Sequence, residues 1–289
     1  MSELARRVLF SVIAIPLAIG IIYLGGAWLA GLLSAIAALA AWELYRIARA
    51  AGVAPFDRIG IALAAAVPLL VHAWYLGVFV PRRGVVMVLI TLLPLVLLSL
   101  AIWTRGVDGR PLLATAVTTF GVAYAGGTLA FGYAVRYHDY AVGDVAGLAL
   151  ITLPLVLTWG SDIAAYFVGR ALGRTKLIPS VSPGKTVAGA IGGLAAAVLL
   201  AWLYVDVVLR PAAQLAMRPA GIVAFGVIVG VAAQVGDLAE SLLKREAGVK
   251  DSSHIIPGHG GILDRFDSLL FVLPISWLLL GWLLIPAPR

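Results

Sequence analysis

Cysteine is absent from the 289-residue chain, which excludes disulfides, thiol nucleophiles and Cys-ligated metals and removes the usual clue to redox compartment. Charge is scarce as well: Asp, Glu, Lys and Arg make up 12% of the residues, against 62% apolar types. One soluble core cannot take in that much apolar surface. Also missing are a short-period repeat, a low-complexity tract and any polar stretch long enough for a soluble domain. The N-terminal apolar run lacks a small-residue cleavage pattern and leads straight into further apolar sequence, so a span is expected there and not a removed signal peptide. No basic block with interleaved aromatics accompanies the net charge of +7, which argues against a nucleic-acid partner.

What the chain does have is a succession of apolar runs about 20 residues long, the length that crosses a bilayer. They predict an all-α, polytopic integral membrane protein with about nine transmembrane helices. The expected spans are roughly 8–25, 27–45, 59–80, 84–103, 113–135, 147–168, 186–209, 219–243 and 268–285. Only Gly25 and Gly26 part the first two, so a tight re-entrant pair is the alternative there. Cytoplasmic loops retain Lys and Arg. Nine spans place Arg6 and Arg7, Arg46, Arg49 and Arg58, Arg105 and Arg110, Arg170 to Lys185, and Lys244 to Arg265 on one face, which holds most of the 21 basic residues. The N-terminus and the charge-dense loops are therefore expected in the cytoplasm, with Arg289 outside.

Residues 1–110 hold few polar groups within spans and read as a transmembrane scaffold. Glu43, beside Tyr45 and Arg46, is expected at a water interface, and His72 as a hydrogen-bonded interfacial histidine. The chemistry gathers in residues 111–289, in two cytoplasmic loops at 169–186 and 244–267. The eighth span ends with Asp237, Glu240, Ser241 and Lys244 on one helical face. Ionisable groups in a span cost about 2.5 to 3.5 kcal/mol each on insertion scales and are functional by default. Glu240 has a salt bridge to Lys244 as its structural reading; Asp237 has no basic residue one turn away and wants a cation.

Beyond it, Pro257, Gly258, Gly260 and Gly261 let backbone approach a ligand and present amides to anionic oxygens. Asp264 and Asp267 lie at i, i+3 on entry to the last span; capping of that helix is the plainer reading of Asp264. With Asp237 they form an all-oxygen set suited to magnesium, and the adjacent cations suit polyphosphate. The segment SVSPGKT imitates part of a P-loop, but Pro179 stands at its first glycine and no strand is expected before it, so a Walker A motif is set aside. Ser182, Lys185 and Thr186 can still hold phosphate at the N-terminal end of the seventh span, unless Lys185 is only an anchor for lipid headgroups.

Ser241 to Asp267 resembles the signature of the phosphatidate cytidylyltransferase (CDP-diacylglycerol synthase) family. The matching positions are Ser241, Lys244-Arg245, Lys250-Asp251, Pro257, His259-Gly260-Gly261, Asp264-Arg265 and Asp267. An upstream block is similar too: Asp162, Ala165, Tyr166, Gly169, Arg170 and Gly173, then Ser182, Pro183, Lys185, Thr186 and Gly189. The likeness covers about residues 155–285. Val187 and Ala188 stand where the family commonly has Trp-Glu, and Ile163 replaces a small polar residue.

The resemblance implies transfer of CMP from CTP to phosphatidic acid, giving CDP-diacylglycerol and pyrophosphate. It implies catalytic roles for Asp237, Lys244, Arg245, Lys250, Asp251, His259 and Arg265, and substrate binding by Ser182, Lys185, Thr186, Ser241, Gly260 and Gly261. Asp237, Asp264 and Asp267 would hold Mg²⁺ and a second cation. A homodimer in the inner membrane, its site facing the cytoplasm, is the family expectation. Two other classes stay open: a related CTP-dependent lipid kinase or ether-lipid cytidylyltransferase, and an organic-anion transporter. A transporter calls for midplane charge and paired repeats, neither of which the chain displays.

Overall fold

The computed structural model describes residues 3–78, 80, 84–255 and 260–287, with side chains from Val12 onward. Pro257, Gly258, His259 and Arg289 thus lie outside the described residues. The chain runs as α1 (Glu3–Leu24), α2 (Gly26–Ala50), α3 (Asp57–Tyr75), α4 (Val85–Thr104), α5 (Pro111–Gly121), α6 (Thr128–Arg136) and α7 (Gly143–Leu172). After a hairpin of β1 (Lys176–Ile178) and β2 (Ser182–Thr186) come α8 (Val187–Tyr204), β3 (Leu215–Met217), α9 (Pro219–Glu246), α10 (Leu263–Leu283) and β4 (Leu284–Pro286). Gly25 and Gly26, at φ 61° and 48°, break the chain between α1 and α2 in a conformation that favours glycine.

Eight helical stretches among the described residues are long and apolar enough to cross a membrane, against nine expected, and the first expected span falls within α1. The architecture is that of an α-helical, multi-pass membrane protein. Two stretches contain π-helical turns, Val122–Gly127 between α5 and α6 and Val205–Ala213 after α8. Proline sits inside α1, α3, α4, α7 and α10. Membrane helices tolerate it because neighbouring groups satisfy the freed carbonyls.

Two expectations need correction. A short strand, β1, does precede SVSPGKT, and residues 182–186 are themselves strand β2, antiparallel to it with Lys176 opposite Thr186. The segment is a hairpin arm and not a phosphate-wrapping loop, so the Walker A reading fails on geometry. Glu43 does not face water itself: it is fully buried, because loop donors reach it.

The chain divides into two compact units, one of Met1–Ile15, Gly26–Tyr133 and Leu243–Arg265, the other of Pro16–Gly25, Ala134–Leu242 and Phe266–Arg289. In the first, Tyr45 is wholly buried and lies in a slot that exists only because residues 60 and 121 are glycines; a Cβ at either would overlap its ring. Its hydroxyl donates to the Thr118 carbonyl (2.8 Å), and the Phe56 amide donates to Thr118 Oγ1 (2.8 Å). His72 shares a 2.7 Å hydrogen bond with the Tyr133 hydroxyl, as its position predicts. Helix α4 buries only Leu97 and Ala101, packs Leu93 and Leu100 against that cluster and leaves most of its other apolar side chains exposed.

In the second unit, small residues set the helix spacing. A Cβ on Gly192 would meet Val168 at 2.7 Å, and one on Gly226 the Val198 backbone at 2.6 Å. Gly189 and Gly193 pack on the Ala165 and Ser161 carbonyls of α7, and Gly230 on Ala197. These stripes are therefore consumed by packing within one chain. Arg136, fully buried, donates to the Ile22 carbonyl (2.9 Å) and the Tyr23 carbonyl (3.1 Å) and pairs with Asp144 (2.9 Å).

Candidate functional site

Asp237, Glu240, Ser241 and Lys244 lie on α9, an unbroken helix from Pro219 to Glu246, and so do share one helical face. Glu240 is wholly buried. Lys244 and Arg245 occupy the last turn, where the helix dipole favours cations. Gly248, at φ 68°, lets the chain turn back there, its amide on the Arg245 carbonyl (3.1 Å) and that of Val249 on the Lys244 carbonyl (2.9 Å).

In the first unit the loop after α9 is organised around Asp264. Lys244 Nζ donates to its Oδ1 at 2.6 Å, with the two side chains only 11% and 10% exposed. The Ser252 hydroxyl (2.8 Å), the Ser252 amide (3.1 Å) and the Gly261 amide (2.8 Å) meet Oδ2. Gly260 needs its glycine twice over: φ is +79°, and a Cβ would stand 2.8 Å from Asp264 Oδ2. The Gly261 amide, expected to face a ligand, faces this carboxylate. Arg245, Lys250, Asp251 and Arg265 are exposed on the rim of the loop.

Three residues here escaped the sequence reading: Glu43, Ser252 and Ser253. The Glu43 carboxylate accepts from both serine hydroxyls, at 2.9 Å from Ser252, and from the amides of Ile262 (3.0 Å) and Leu263 (2.6 Å). Those amides lie at the start of α10, so a carboxylate from α2 caps it. The clue available was an acid inside a span, masked by Tyr45 and Arg46 beside it.

In the second unit Lys185 Nζ lies 2.7 Å from Asp237 Oδ2, which supplies the cation that Asp237 calls for. Ser241 Oγ donates to Asp237 Oδ1 at 3.3 Å. Asp162 feels both charges, repelled by Asp237 and attracted by Lys185. Thr186 is the N-cap of α8, its Oγ1 accepting from the Gly189 amide at 3.1 Å. Gly169 and Gly173 leave room for that hydroxyl, since a Cβ at either would stand 2.9 or 2.5 Å from it. Ser182 begins β2. Asp267, in the first turn of α10, accepts from the Ser268 amide at 2.6 Å.

Among the described residues no three His, Asp or Glu side chains form a ready-made metal cage. Carboxylate oxygen is the donor type that magnesium takes, together with waters and substrate phosphate. Asp237 and Asp264 are hard oxygen donors, each met by a lysine ammonium.

A profile of the cytidylyltransferase family matches residues 5–283. The chain is 38% identical over 296 residues to the phosphatidate cytidylyltransferase of Pseudomonas aeruginosa, covering 96% of this chain and 98% of that protein. It is 42% identical to that of Bacillus subtilis over 56% of this chain and 57% of the relative, and 43% identical to that of Haemophilus influenzae over 48% of each. The aligned part thus spans about half the length of the latter two. With the match running from the first helix through the last, the chain belongs to the cytidylyltransferase family.

Proposed function

We propose that the protein is a phosphatidate cytidylyltransferase, transferring CMP from CTP to phosphatidic acid in membrane phospholipid synthesis. The near full-length likeness to an enzyme of that name carries the reading. A phosphate oxygen of the lipid bonds to the α-phosphorus of CTP, the bond from that phosphorus to the bridging oxygen breaks, and pyrophosphate leaves. A phosphate monoester is largely ionised at neutral pH, so no general base is required. Such transfers depend on positioning and on neutralising charge.

The cations of the chain suit that task. Arg245, Lys250 and Arg265, exposed around the loop, would hold the triphosphate and the departing pyrophosphate, with Lys244 oriented by Asp264 beneath them. Ser182, Lys185 and Thr186 would take a phosphate at the start of α8, where free amides favour anions. His259 would donate to a phosphate, and Asp251 would orient its neighbouring cations. Mg²⁺ would be held by Asp237, Asp264 and Asp267, with a second cation beside it, and would supply positive charge to the phosphate oxygens. Charge asymmetry supports an inner-membrane protein whose loops face the cytoplasm. A homodimer belongs to the same reading, and its interface would lie away from the glycine stripes already used inside the chain.

The test is an assay of purified protein in detergent micelles with labelled CTP, phosphatidic acid and Mg²⁺, alongside Asp264→Asn. Stoichiometric CDP-diacylglycerol and pyrophosphate, lost in the variant and on chelation, are expected. Lipid phosphate with CDP as product would make it a kinase and overturn the assignment.

A further inference from the structure

Glu43 belongs to the half of the chain that composition assigns to scaffold, yet it is wholly buried, and its four donors among the described residues come from the loop after α9 and the entry to α10. Two are hydroxyls, Ser252 (2.9 Å) and Ser253, and two are the amides of Ile262 (3.0 Å) and Leu263 (2.6 Å). Gly261 lies directly against the carboxylate, and a Cβ there would overlap both Glu43 and Ser252 Oγ. Ser252 Oγ also stands 2.8 Å from Asp264, which in turn holds Lys244. Glu43, Ser252, Asp264 and Lys244 therefore form one continuous chain of polar contacts inside the first unit.

We infer that Glu43 is a positioning residue for the proposed cytidylyl transfer: it latches Ser252 and Ser253 to the entry of α10, and through Ser252 it fixes the direction in which Asp264 and Lys244 point. Its carboxylate geometry is specific. Both oxygens accept backbone amides, so an amide side chain would turn one N–H toward another, and aspartate is a methylene too short to reach both serines. Misplacing reacting groups by about 1 Å costs on the order of 10²-fold in rate. The assignment of a reaction to this loop rests on the function proposed above; the latch itself does not.

The lack of native cysteine permits a single nitroxide at His254→Cys, an exposed position in the same loop. In detergent-purified full-length protein the label is expected to be immobile, and to become mobile in Glu43→Ala and equally in Ser252→Ala/Ser253→Ala, which opens the latch from the other side without touching α2. In unlabelled protein, Glu43→Gln is expected to lower kcat roughly tenfold or more while leaving KM for phosphatidic acid within about twofold, since the loop and not the lipid face is disturbed. A label equally immobile in all variants, or an unchanged kcat in Glu43→Gln, overturns the inference. If the parent protein makes no CDP-lipid, the reaction reading falls while label mobility still judges the latch.

Discussion

At the scale of single residues, two buried acids are answered in different ways: Glu43 by hydroxyls and amides, Asp264 also by a lysine. Asp264 faces Lys244 with both side chains about nine-tenths covered, so Asp264→Asn removes a buried counter-charge as well as a proposed metal donor. Such a loss costs about 3 to 5 kcal/mol; a lowered melting temperature in detergent, compared with Arg265→Gln on the exposed rim, measures it. Lys185→Gln leaves Asp162 and Asp237 facing each other without their shared ammonium. Losing a charge-assisted contact of this kind is expected to reduce kcat/KM about tenfold or more, read in the same micelle assay. His138 lies outside the spans, stacked on Tyr140 and edge-on to Trp277. Burial lowers its pKa from the usual 6.5, against a weaker upward pull from Asp139. Its neutral ring accepts from the Tyr140 amide. The neutral form contributes fully above pH 6.5, and that contribution is lost as pH falls through the depressed value. His138→Gln should therefore flatten the acid limb of a stability profile. Asp237, Lys244 and Asp264 were legible as residues because ionisable groups near a span stand out; Glu43 was not, because its donors arrive from far along the chain.

At the scale of elements, the two arms of the second unit meet through missing side chains. A Cβ at Gly189 would stand 2.7 Å from the Ala165 carbonyl and 3.2 Å from Gly169, whereas one at Gly184 meets open space. Gly189→Val is expected to destabilise by about 1 to 3 kcal/mol, and Gly184→Ala by less than about 0.5 kcal/mol, both read as thermal shifts in detergent. The long helices could be read from apolar run length to within about five residues at their ends, as with 59–80 against Asp57–Tyr75 and 268–285 against Leu263–Leu283. The hairpin at 176–186 could not: strands of three and five residues carry too little periodicity to register, and Pro183 within the second argues against a strand. The π-helical turns were equally silent, since nothing in the composition of Val122–Gly127 marks an i to i+5 hydrogen bond.

At the scale of the whole molecule, the exposed surface is largely that of a body meant for lipid. Large apolar side chains such as Met87, Ile90, Trp103 and Trp282 are 67% to 79% exposed. Sidedness is the property to test. Arg174→Cys, in the stretch before β1, is expected to react with a membrane-impermeant thiol reagent only in inside-out vesicles. Asp139→Cys, in the turn before α7, should react only in right-side-out ones. The opposite pattern would reverse the proposed topology. The proposed orientation rests on the alternation of basic loops in the sequence.

The contacts of Glu43 join residues 209 to 220 apart in sequence. During synthesis, at about 5 to 20 residues per second, roughly 10 to 40 s separate the emergence of the acid from that of its last amide donor. Throughout that interval the donors that bury Glu43 in the finished protein do not yet exist, so α2 cannot complete its packing before the C-terminal helices arrive. Chains stalled before Ser252 would carry an unanswered carboxylate in the bilayer, a mark by which membrane quality control could tell an unfinished copy from a finished one.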